Sequence, residues 1–173
     1  INITPSWNMT YETQTTVICG ANNTAVTETL YRNGTQVSIP DTQTLAASTY
    51  SYTCNASATQ NYSSATTSNT LTVQKAIGDV DIILNGINGN ITTDVGSFVN
   101  ETALHNKPHE IKIYESGVLV LTGLSPLTQL TQYNTTGIFD VTVMHEENEN
   151  YTVSNETNWI TVSDSTAPTI NLI

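Results

Sequence analysis

The asparagine residues of this sequence are spaced in a way that indicates covalent modification. Eleven Asn-x-Ser/Thr triplets occur in 173 residues, and none has proline in the middle position. This triplet accepts N-linked glycan in exported proteins. Random placement of 19 Asn and 46 Ser plus Thr would give about five triplets, so the observed number is about double. The excess predicts an extracellular, cell-surface glycoprotein with candidate glycan sites at Asn2, Asn8, Asn22, Asn33, Asn55, Asn61, Asn90, Asn100, Asn134, Asn150 and Asn155.

The chain contains two cysteines, Cys19 and Cys54, which allow only one intramolecular pairing. In an exported β protein we expect them to form a disulfide bond. Two buried thiols are the alternative. A metal site would need more ligands than two distant cysteines supply.

Other residue types offer little reactive chemistry. His105 and His109 flank Pro108, which excludes the helical pair of ligands typical of zinc, and His145 is distant in sequence. The acidic run 146–149 could ligate calcium, but it lacks the spacing of a known calcium loop, and a solvated hairpin tip is the expectation. No nucleophile elbow or phosphate-binding glycine loop occurs. We expect no enzyme activity, no cofactor and no metal.

The charge of the chain excludes some partners. Four Lys or Arg accompany 15 Asp or Glu, giving a net charge of −11. Nucleic-acid binding relies on basic clusters that displace counterions from phosphates, and the sequence has none. No apolar run approaches the ~18 residues of a membrane span. We expect neither nucleic acid as a partner nor membrane insertion of this chain.

The sequence contains an internal repeat. Residues 48–73 align without gaps on residues 137–162, which places Cys54 on Val143. Residues 30–34 align on 113–117 at a slightly shorter offset. The repeat predicts two related domains, 1–76 and 77–163, of which only the first has a disulfide. The remaining residues, 164–173, are then a linker followed by a terminal strand.

Alternating polar and apolar residues indicate strands throughout. Tyr50, Tyr52 and Cys54 share one face of a strand, and Val80–Leu84 opens the second domain. Asn33-Gly34 is the favoured pair for a tight type I′ hairpin. Short strands, frequent turn signals and no helical pattern predict an all-β protein built as two tandem sandwiches.

The Cys19–Cys54 pair, with Tyr52 two residues before the second cysteine, resembles the immunoglobulin-like fold and its tyrosine corner. One feature departs from the antibody pattern, because no tryptophan lies between the cysteines and Trp7 precedes both. The segments 29–35, 52–56 and 60–66 resemble immunoglobulin-like repeats of archaeal cell-surface proteins. The resemblance implies tandem immunoglobulin-like domains of a surface-layer, extracellular-filament or adhesin protein.

The end of the chain suggests how subunits join. Pro168 precedes an alternating segment in which Ile170 and Leu172 lie on one side. This segment begins a further repeat, forms a frayed end, or adds to the sheet of a second copy. We favour the last, because a head-to-tail contact of this kind produces a fibre.

The expected role is therefore a structural subunit of a glycosylated surface filament or layer, with other copies of the chain and covalent glycans as partners. Asn61 and Asn150, at equivalent turns of the two repeats, are the preferred glycan sites. An adhesin or carbohydrate-binding module is the alternative. That role would use an exposed aromatic platform, for which Tyr62, Tyr151 and Trp159 are the candidates, although packing within the fold is the expectation for each.

Overall fold

The computed structural model describes residues 1–168, and these residues form β-strands joined by turns and loops, without a helix. Contacts divide the chain into two units. Unit 1 comprises Ile1–Ala76 with Glu149–Tyr151, and unit 2 comprises Ile77–Asn148 with the residues from Thr152 onward. The short segment Glu149–Tyr151, which the repeat assigns to the second domain, therefore lies in unit 1.

Unit 1 contains eight strands among its described residues, and every one contains Thr, a residue that suits a pleated, half-buried surface. In chain order they are β1 (Asn2–Thr4), β2 (Asn8–Thr10), β3 (Thr15–Ile18), β4 (Glu28–Arg32), β5 (Thr35–Val37), β6 (Asp41–Gln43), β7 (Ser48–Ala56) and β8 (Ala65–Gln74).

Two sheets make up unit 1. One has the order β1-β3-β6 and the other β2-β8-β7-β4-β5. Strand β2 runs parallel to β8, and the remaining pairs are antiparallel. The core between the sheets is formed by Met9, Val17, Cys19, Leu30, Tyr52, Cys54, Leu71 and Val73.

Two short strands span the boundary of the units, β9 (Ala76–Ile77) and β18 (Tyr151–Thr152). Among the described residues, the strands of unit 2 itself are β10 (Val80–Leu84), β11 (Ile87–Asn88), β12 (Ile91–Asp94), β13 (Ser97–His105), β14 (Glu110–Glu115), β15 (Val118–Leu124), β16 (Leu127–Tyr133), β17 (Gly137–His145) and β19 (Ser154–Ser163).

Unit 2 repeats the arrangement of unit 1. Its sheets have the orders β11-β10-β13-β16 and β12-β19-β17-β14-β15. Strand β12 runs parallel to β19, as β2 does to β8. Its core includes Ile82, Val99, Ala103, Ile113 and Val143, all inaccessible to solvent. Both units are therefore immunoglobulin-like β-sandwiches, and the all-β, tandem fold expected from the sequence is confirmed.

Tight turns connect strands within each sheet. Asn33 and Gly34 have φ angles of +50° and +79°, as a type I′ hairpin requires, and the turn joins β4 to β5. Ser116 and Gly117 occupy the equivalent turn between β14 and β15, with φ of +46° and +77°. Asn tolerates this left-handed conformation better than Ser does.

Candidate assembly and glycosylation surfaces

Nine of the eleven candidate glycan asparagines are exposed. They occur on strands, at turns and in loops of both units, so their side chains are accessible to a modifying enzyme. The exposed residues are Asn2, Asn8, Asn22, Asn33, Asn61, Asn90, Asn100, Asn134 and Asn155.

The other two, Asn55 and Asn150, are half-buried. The carboxamide oxygen of Asn55 is buried in β7 without a hydrogen-bond partner. The Oδ1 atom of Asn150 accepts a hydrogen bond from the backbone N–H of Ala47 at 2.9 Å. Although Asn61 and Asn150 align in the repeat, only Asn61 is fully exposed at its turn.

Two exposed asparagines are held in place by hydrogen bonds that their side-chain oxygens accept. Asn33 Oδ1 accepts a hydrogen bond from Ser51 N at 2.8 Å, which links the β4–β5 turn to β7. Asn90 Oδ1 accepts one from Trp159 N at 2.8 Å, which anchors the loop before β12 to β19. A glycan at either position would be attached to a side chain with a fixed direction.

The predicted disulfide bond is present in unit 1. Cys19 and Cys54 are bonded, with their Cα atoms 5.5 Å apart. Cys19 follows β3 and Cys54 lies in β7, so the bond joins the two sheets. Because both sulfur atoms are shielded in the core, the bond serves packing and stability.

The tyrosine corner differs in detail from the expectation. Tyr50, not Tyr52, donates to a backbone oxygen upstream, from its hydroxyl to Ala46 O at 2.9 Å. The Tyr52 hydroxyl instead donates to Asp41 Oδ2 at 2.8 Å. Burial and this hydrogen bond raise the pKa of Tyr52 to about 12. Trp7 packs against Tyr52 with the ring centroids 6.1 Å apart, so this core does have a tryptophan, from before the first cysteine.

Strand β15 is an open edge in unit 2. It is the last strand of its sheet and pairs only with β14 among the described residues. Its apolar side chains are exposed, at 64% for Val118, 48% for Leu119, 40% for Val120 and 66% for Leu124. The equivalent edge strand of unit 1, β5, is three residues long, and its two exposed side chains, Thr35 and Gln36, are polar. The two units thus differ most in surface chemistry at this edge.

The outer face of the neighbouring sheet in unit 2 also has exposed apolar side chains. Phe98 on β13 is 56% exposed and Leu130 on β16 is 65% exposed. Asn100 lies directly opposite Leu130 in the ladder and two residues from Phe98. A glycan on Asn100 would therefore stand beside both apolar side chains.

The candidate aromatic platform is not assembled. Tyr151 is buried, its hydroxyl donates to Glu12 Oε1 at 2.6 Å, and its ring contacts Tyr11. Burial and the bond to Glu12 raise the pKa of Tyr151 to about 12. Tyr62 and Trp159 are each nearly half-exposed. Within residues 1–168 neither has another aromatic ring packed beside it.

The three histidines lie together, which the sequence analysis did not anticipate. Ring centroids are separated by 5.1 Å for His105 and His109, 4.6 Å for His105 and His145, and 5.4 Å for His109 and His145. Gly78 lies against them, and a Cβ atom there would be 2.9 Å from both His105 Nε2 and His145 Nδ1. His105 ends β13 and His109 precedes β14 after a short loop, and the pairing of β14 with β17 brings the sequence-distant His145 to the same end of unit 2.

Burial lowers the pKa of both His105 and His145, and the charge of neighbouring histidines lowers each further. Beside them is an open polar groove of about 250 Å³, lined in part by Lys112 and Glu146, whose side chains form an ion pair. The acidic tip of this hairpin is therefore partly neutralised. Within the described part of the chain, no group of three or more His, Cys, Asp or Glu has the geometry to hold a metal ion.

The predicted assembly residues Ile170 and Leu172 lie outside the described residues. Just before them, residues 164–168 carry no strand, and Ser165 Oγ donates to Asp94 Oδ1 at 2.6 Å. No described helix is long and apolar enough to cross a membrane.

Neither a protein-family model nor a curated protein sequence matches the chain. Solved structures of similar architecture include fibronectin(III)-like modules of Clostridium thermocellum CbhA, at 11% identity, covering 96% of this chain and 94% of that one, with a TM-score of 0.40. A chimeric titin Z1Z2 tandem is similar at 15% identity, 90% and 94% coverage, and a TM-score of 0.36. The first four immunoglobulin domains of Dscam1 isoform 8.4 are similar at 13% identity, 90% and 42% coverage, and a TM-score of 0.40.

Proposed function

We propose that this chain is a structural subunit of an extracellular, N-glycosylated surface filament or surface layer, of the kind formed by immunoglobulin-like repeats of archaeal cell-surface proteins. Subunits join head to tail. The role is mechanical and involves no catalysis. The observation that carries the proposal is the open edge of β15, which exposes a row of apolar side chains.

An edge of this kind is unusual in a protein that works alone. Natural edge strands are kept short, charged or covered, because an exposed apolar edge recruits further strands. Strand β15 has seven residues and none is charged. Its length and chemistry suit addition of another strand by backbone hydrogen bonding, with apolar side chains on both partners.

The occupant that we propose for this edge is the terminal segment 169–173 of a second copy. Its sequence, Thr-Ile-Asn-Leu-Ile, is uncharged and alternates in the manner of a strand. Because the donor segment and the acceptor edge belong to different parts of one chain, each subunit offers one of each. Such contacts are heterologous and extend into a fibre instead of closing.

Glycans have a complementary role in this proposal. The exposed asparagines lie on both units, and Asn100 stands beside the apolar pair Phe98 and Leu130. A sugar there would cover apolar surface outside the assembly edge and restrict pairing to the intended strand. The disulfide and the glycan sites both fit an oxidising extracellular compartment.

The adhesin or carbohydrate-binding alternative gains no support from the geometry. One of its three aromatic candidates, Tyr151, is buried, and among residues 1–168 the exposed Trp159 and Tyr62 have no aromatic ring packed beside them. Binding on a glycan array would support that alternative.

Deletion of residues 164–173 tests the assembly directly. We expect the shortened chain to remain folded and to lose filaments in electron micrographs. The double substitution Val118→Lys with Val120→Lys should have the same effect from the acceptor side, because two ammonium groups oppose strand addition. The matched control is Gln36→Lys on the equivalent edge of unit 1, which should assemble normally. Undiminished filaments from the deletion and from the double variant would overturn the proposal.

The compartment is tested separately by intact mass. Natively isolated protein should exceed the 18.7 kDa of its polypeptide by the mass of several glycans. A mass equal to the bare polypeptide with both thiols free would contradict the extracellular, glycosylated part of the proposal.

A further inference from the structure

A carboxyl group is fully enclosed in the core of unit 2. Glu101 lies on the inward face of β13 between Val99 and Ala103, and all three side chains are inaccessible to solvent. Its Oε1 atom accepts a hydrogen bond from Tyr133 OH at 2.7 Å, and its Oε2 atom accepts one from Gln129 Nε2 at 2.7 Å. An enclosed carboxylate is expensive unless a cation or several donors compensate for the lost water.

A second carboxyl group shares the same donor. Gln129 Nε2 also donates to Glu115 Oε1, at 2.5 Å, and Thr131 Oγ1 donates to the same oxygen at 2.8 Å. Gln129 therefore bridges the carboxyl groups of β13 and β14. Among residues 1–168 neither Glu101 nor Glu115 is paired with a Lys or Arg.

The equivalent position in unit 1 has the opposite charge. Arg32 ends β4 opposite Tyr52, as Glu115 ends β14 opposite Val141. Asp41 lies opposite Val17 in unit 1, as Gln129 lies opposite Glu101 in unit 2. Arg32 Nη1 donates to Asp41 Oδ2 at 2.8 Å, and this ion pair neutralises the buried acid of unit 1. In unit 2 the cation is replaced by a carboxyl group, so neutralisation must come from elsewhere.

Two neighbouring carboxyl groups without a cation are most simply neutralised by a proton. When two carboxylates share one site, ionisation of the second is opposed by the charge of the first. The pKa of Glu101 is raised by its burial; the hydrogen bonds from Gln129 and Tyr133 act against this, whereas the charge and hydrogen bonding of Glu115 add to it.

The other titratable groups around the pair do not supply a positive charge. From β16, Tyr133 is held in its neutral form, because burial and its bond to Glu101 raise its pKa. Asp140 of β17 adds a negative charge near Tyr133. From β19, Glu156 Oε2 accepts a hydrogen bond from Ile82 N. The basic groups on the adjoining strands are engaged elsewhere: Lys112 of β14 pairs with Glu146, and His105 and His145 end β13 and β17 in the histidine cluster.

We propose that Glu101 carries a proton in folded unit 2, beside the carboxyl group of Glu115, so that mild acid strengthens its core. The direction follows from linkage, because a carboxyl group that binds its proton more tightly in the folded state favours folding at low pH. This contribution is fully present below the ordinary carboxyl pKa of 4.5 and is lost as the pH rises through the higher folded-state value. In unit 1 the ion pair of Arg32 with Asp41 occupies the equivalent place.

Carboxyl-selective NMR on the wild-type chain tests the proton directly. With ¹³C-labelled glutamate, we expect one side-chain carboxyl resonance, assigned to Glu101 by its loss in Glu101→Gln, to titrate with a midpoint above 4.5. The wild-type measurement needs no variant to fold at neutral pH. A Glu101 midpoint at or below 4.5 would overturn the proposal.

Stability measurements supply an independent readout. Glu101→Gln mimics the protonated acid and retains the hydrogen-bonding partners. We expect amide exchange protection in β13 and β14 to rise in this variant at pH 7 and to match wild type at pH 4. Because the three histidines are present in both proteins, their titration cancels in the difference. The matched control, Asp41→Asn, should lower protection in unit 1 at pH 7, since it breaks an ion pair. Equal loss of protection in both variants at pH 7 would contradict a proton on Glu101.

Discussion

The two units have the same sandwich topology but stabilise it by different means. Unit 1 joins its sheets through Cys19 and Cys54, whereas unit 2 has buried Ala103 and Val143 at the equivalent positions. Unit 1 neutralises a buried acid with Arg32, whereas unit 2 places two carboxyl groups together. The comparison shows that this fold requires a filled space between its sheets, and that the chemistry filling it can vary.

The edges of the units differ in the same way. In unit 1 the edge strand β5 is short and follows the exposed candidate glycan site Asn33. In unit 2 the edge strand β15 is long and apolar. The edge of unit 1 therefore resists the addition of another strand, whereas the edge of unit 2 is suited to it. In the proposed assembly, this asymmetry would give the chain of subunits a direction.

The disulfide should give the largest measurable difference between the units. Replacing Cys19→Ala together with Cys54→Val copies the pair found in unit 2. We expect the free energy of unfolding of unit 1 to fall by about 4 kcal/mol, the chain-entropy value for a loop of this length. Denaturation followed by residue-resolved NMR would show the loss in unit 1 alone. Reductant should weaken wild-type unit 1 and leave the variant unchanged. Equal destabilisation of both units would break the comparison.

Gly78 should be the most sensitive small residue. In Gly78→Ala the added methyl group would lie 2.9 Å from nitrogen atoms of His105 and His145, so unit 2 should lose about 2 kcal/mol through overpacking. Gly20→Ala in unit 1 is the matched control, because no atom lies within 4 Å of its added methyl group. Thermal unfolding of both variants checks the pair, and similar losses would show that backbone effects dominate.

Protonation of the histidine cluster should weaken unit 2 by a smaller amount. Burial lowers the pKa of His105 and His145 from 6.5, so the unfolded chain binds their protons first. Their contribution to stability is present above pH 6.5 and is lost as the pH falls through the folded-state values. Unit 1 contains no histidine and serves as the internal reference. In a Glu101→Gln background, which removes the opposing carboxyl titration, the melting temperature of unit 2 should fall between pH 7 and pH 5, and a constant value would contradict this.

The turn residues should give the smallest effect. Ser116→Asn introduces into unit 2 the residue that unit 1 has in the same left-handed conformation. The free energy of unfolding of unit 2 should rise by about 0.5 kcal/mol. The reciprocal change, Asn33→Ser, should destabilise by about 1 kcal/mol, because it also removes the hydrogen bond from Ser51 N. Unglycosylated protein is needed for this measurement, since Asn33 is a candidate glycan site. Changes of the same sign would contradict the comparison.

Local patterns were sufficient to predict the fold. Alternation identified Val80–Leu84 as a strand with the bounds that the structure shows, and Asn33-Gly34 was correctly predicted as a type I′ turn. The cysteine pair was predicted because only one pairing exists. These features depend on neighbouring residues or on a simple count, which a single sequence contains.

Features that depend on register between distant strands were missed. The histidines were treated as separate, yet β13, β14 and β17 bring all three together. Glu101 was not predicted to be buried, because it lies in a polar stretch. Its alternation with Val99 and Ala103 nevertheless indicated that it points inward. The tyrosine corner was predicted at Tyr52, but Tyr50, two residues earlier, makes the hydrogen bond to the upstream backbone. Asn150 was expected at an exposed turn, but it is half-buried and its Oδ1 atom accepts a hydrogen bond from Ala47 N. Tyr151, for which packing was the expectation, is buried.

The position of Asn55 has a consequence for the order of events during biosynthesis. Its side-chain oxygen is enclosed in the finished sheet, immediately after a cysteine that is already bonded in the mature protein. An oligosaccharide transferase acting on the completed domain would find this residue poorly accessible, whereas one acting on the emerging chain would not. The fraction of molecules carrying sugar at Asn55 would therefore indicate whether sugar transfer precedes folding of the first sandwich.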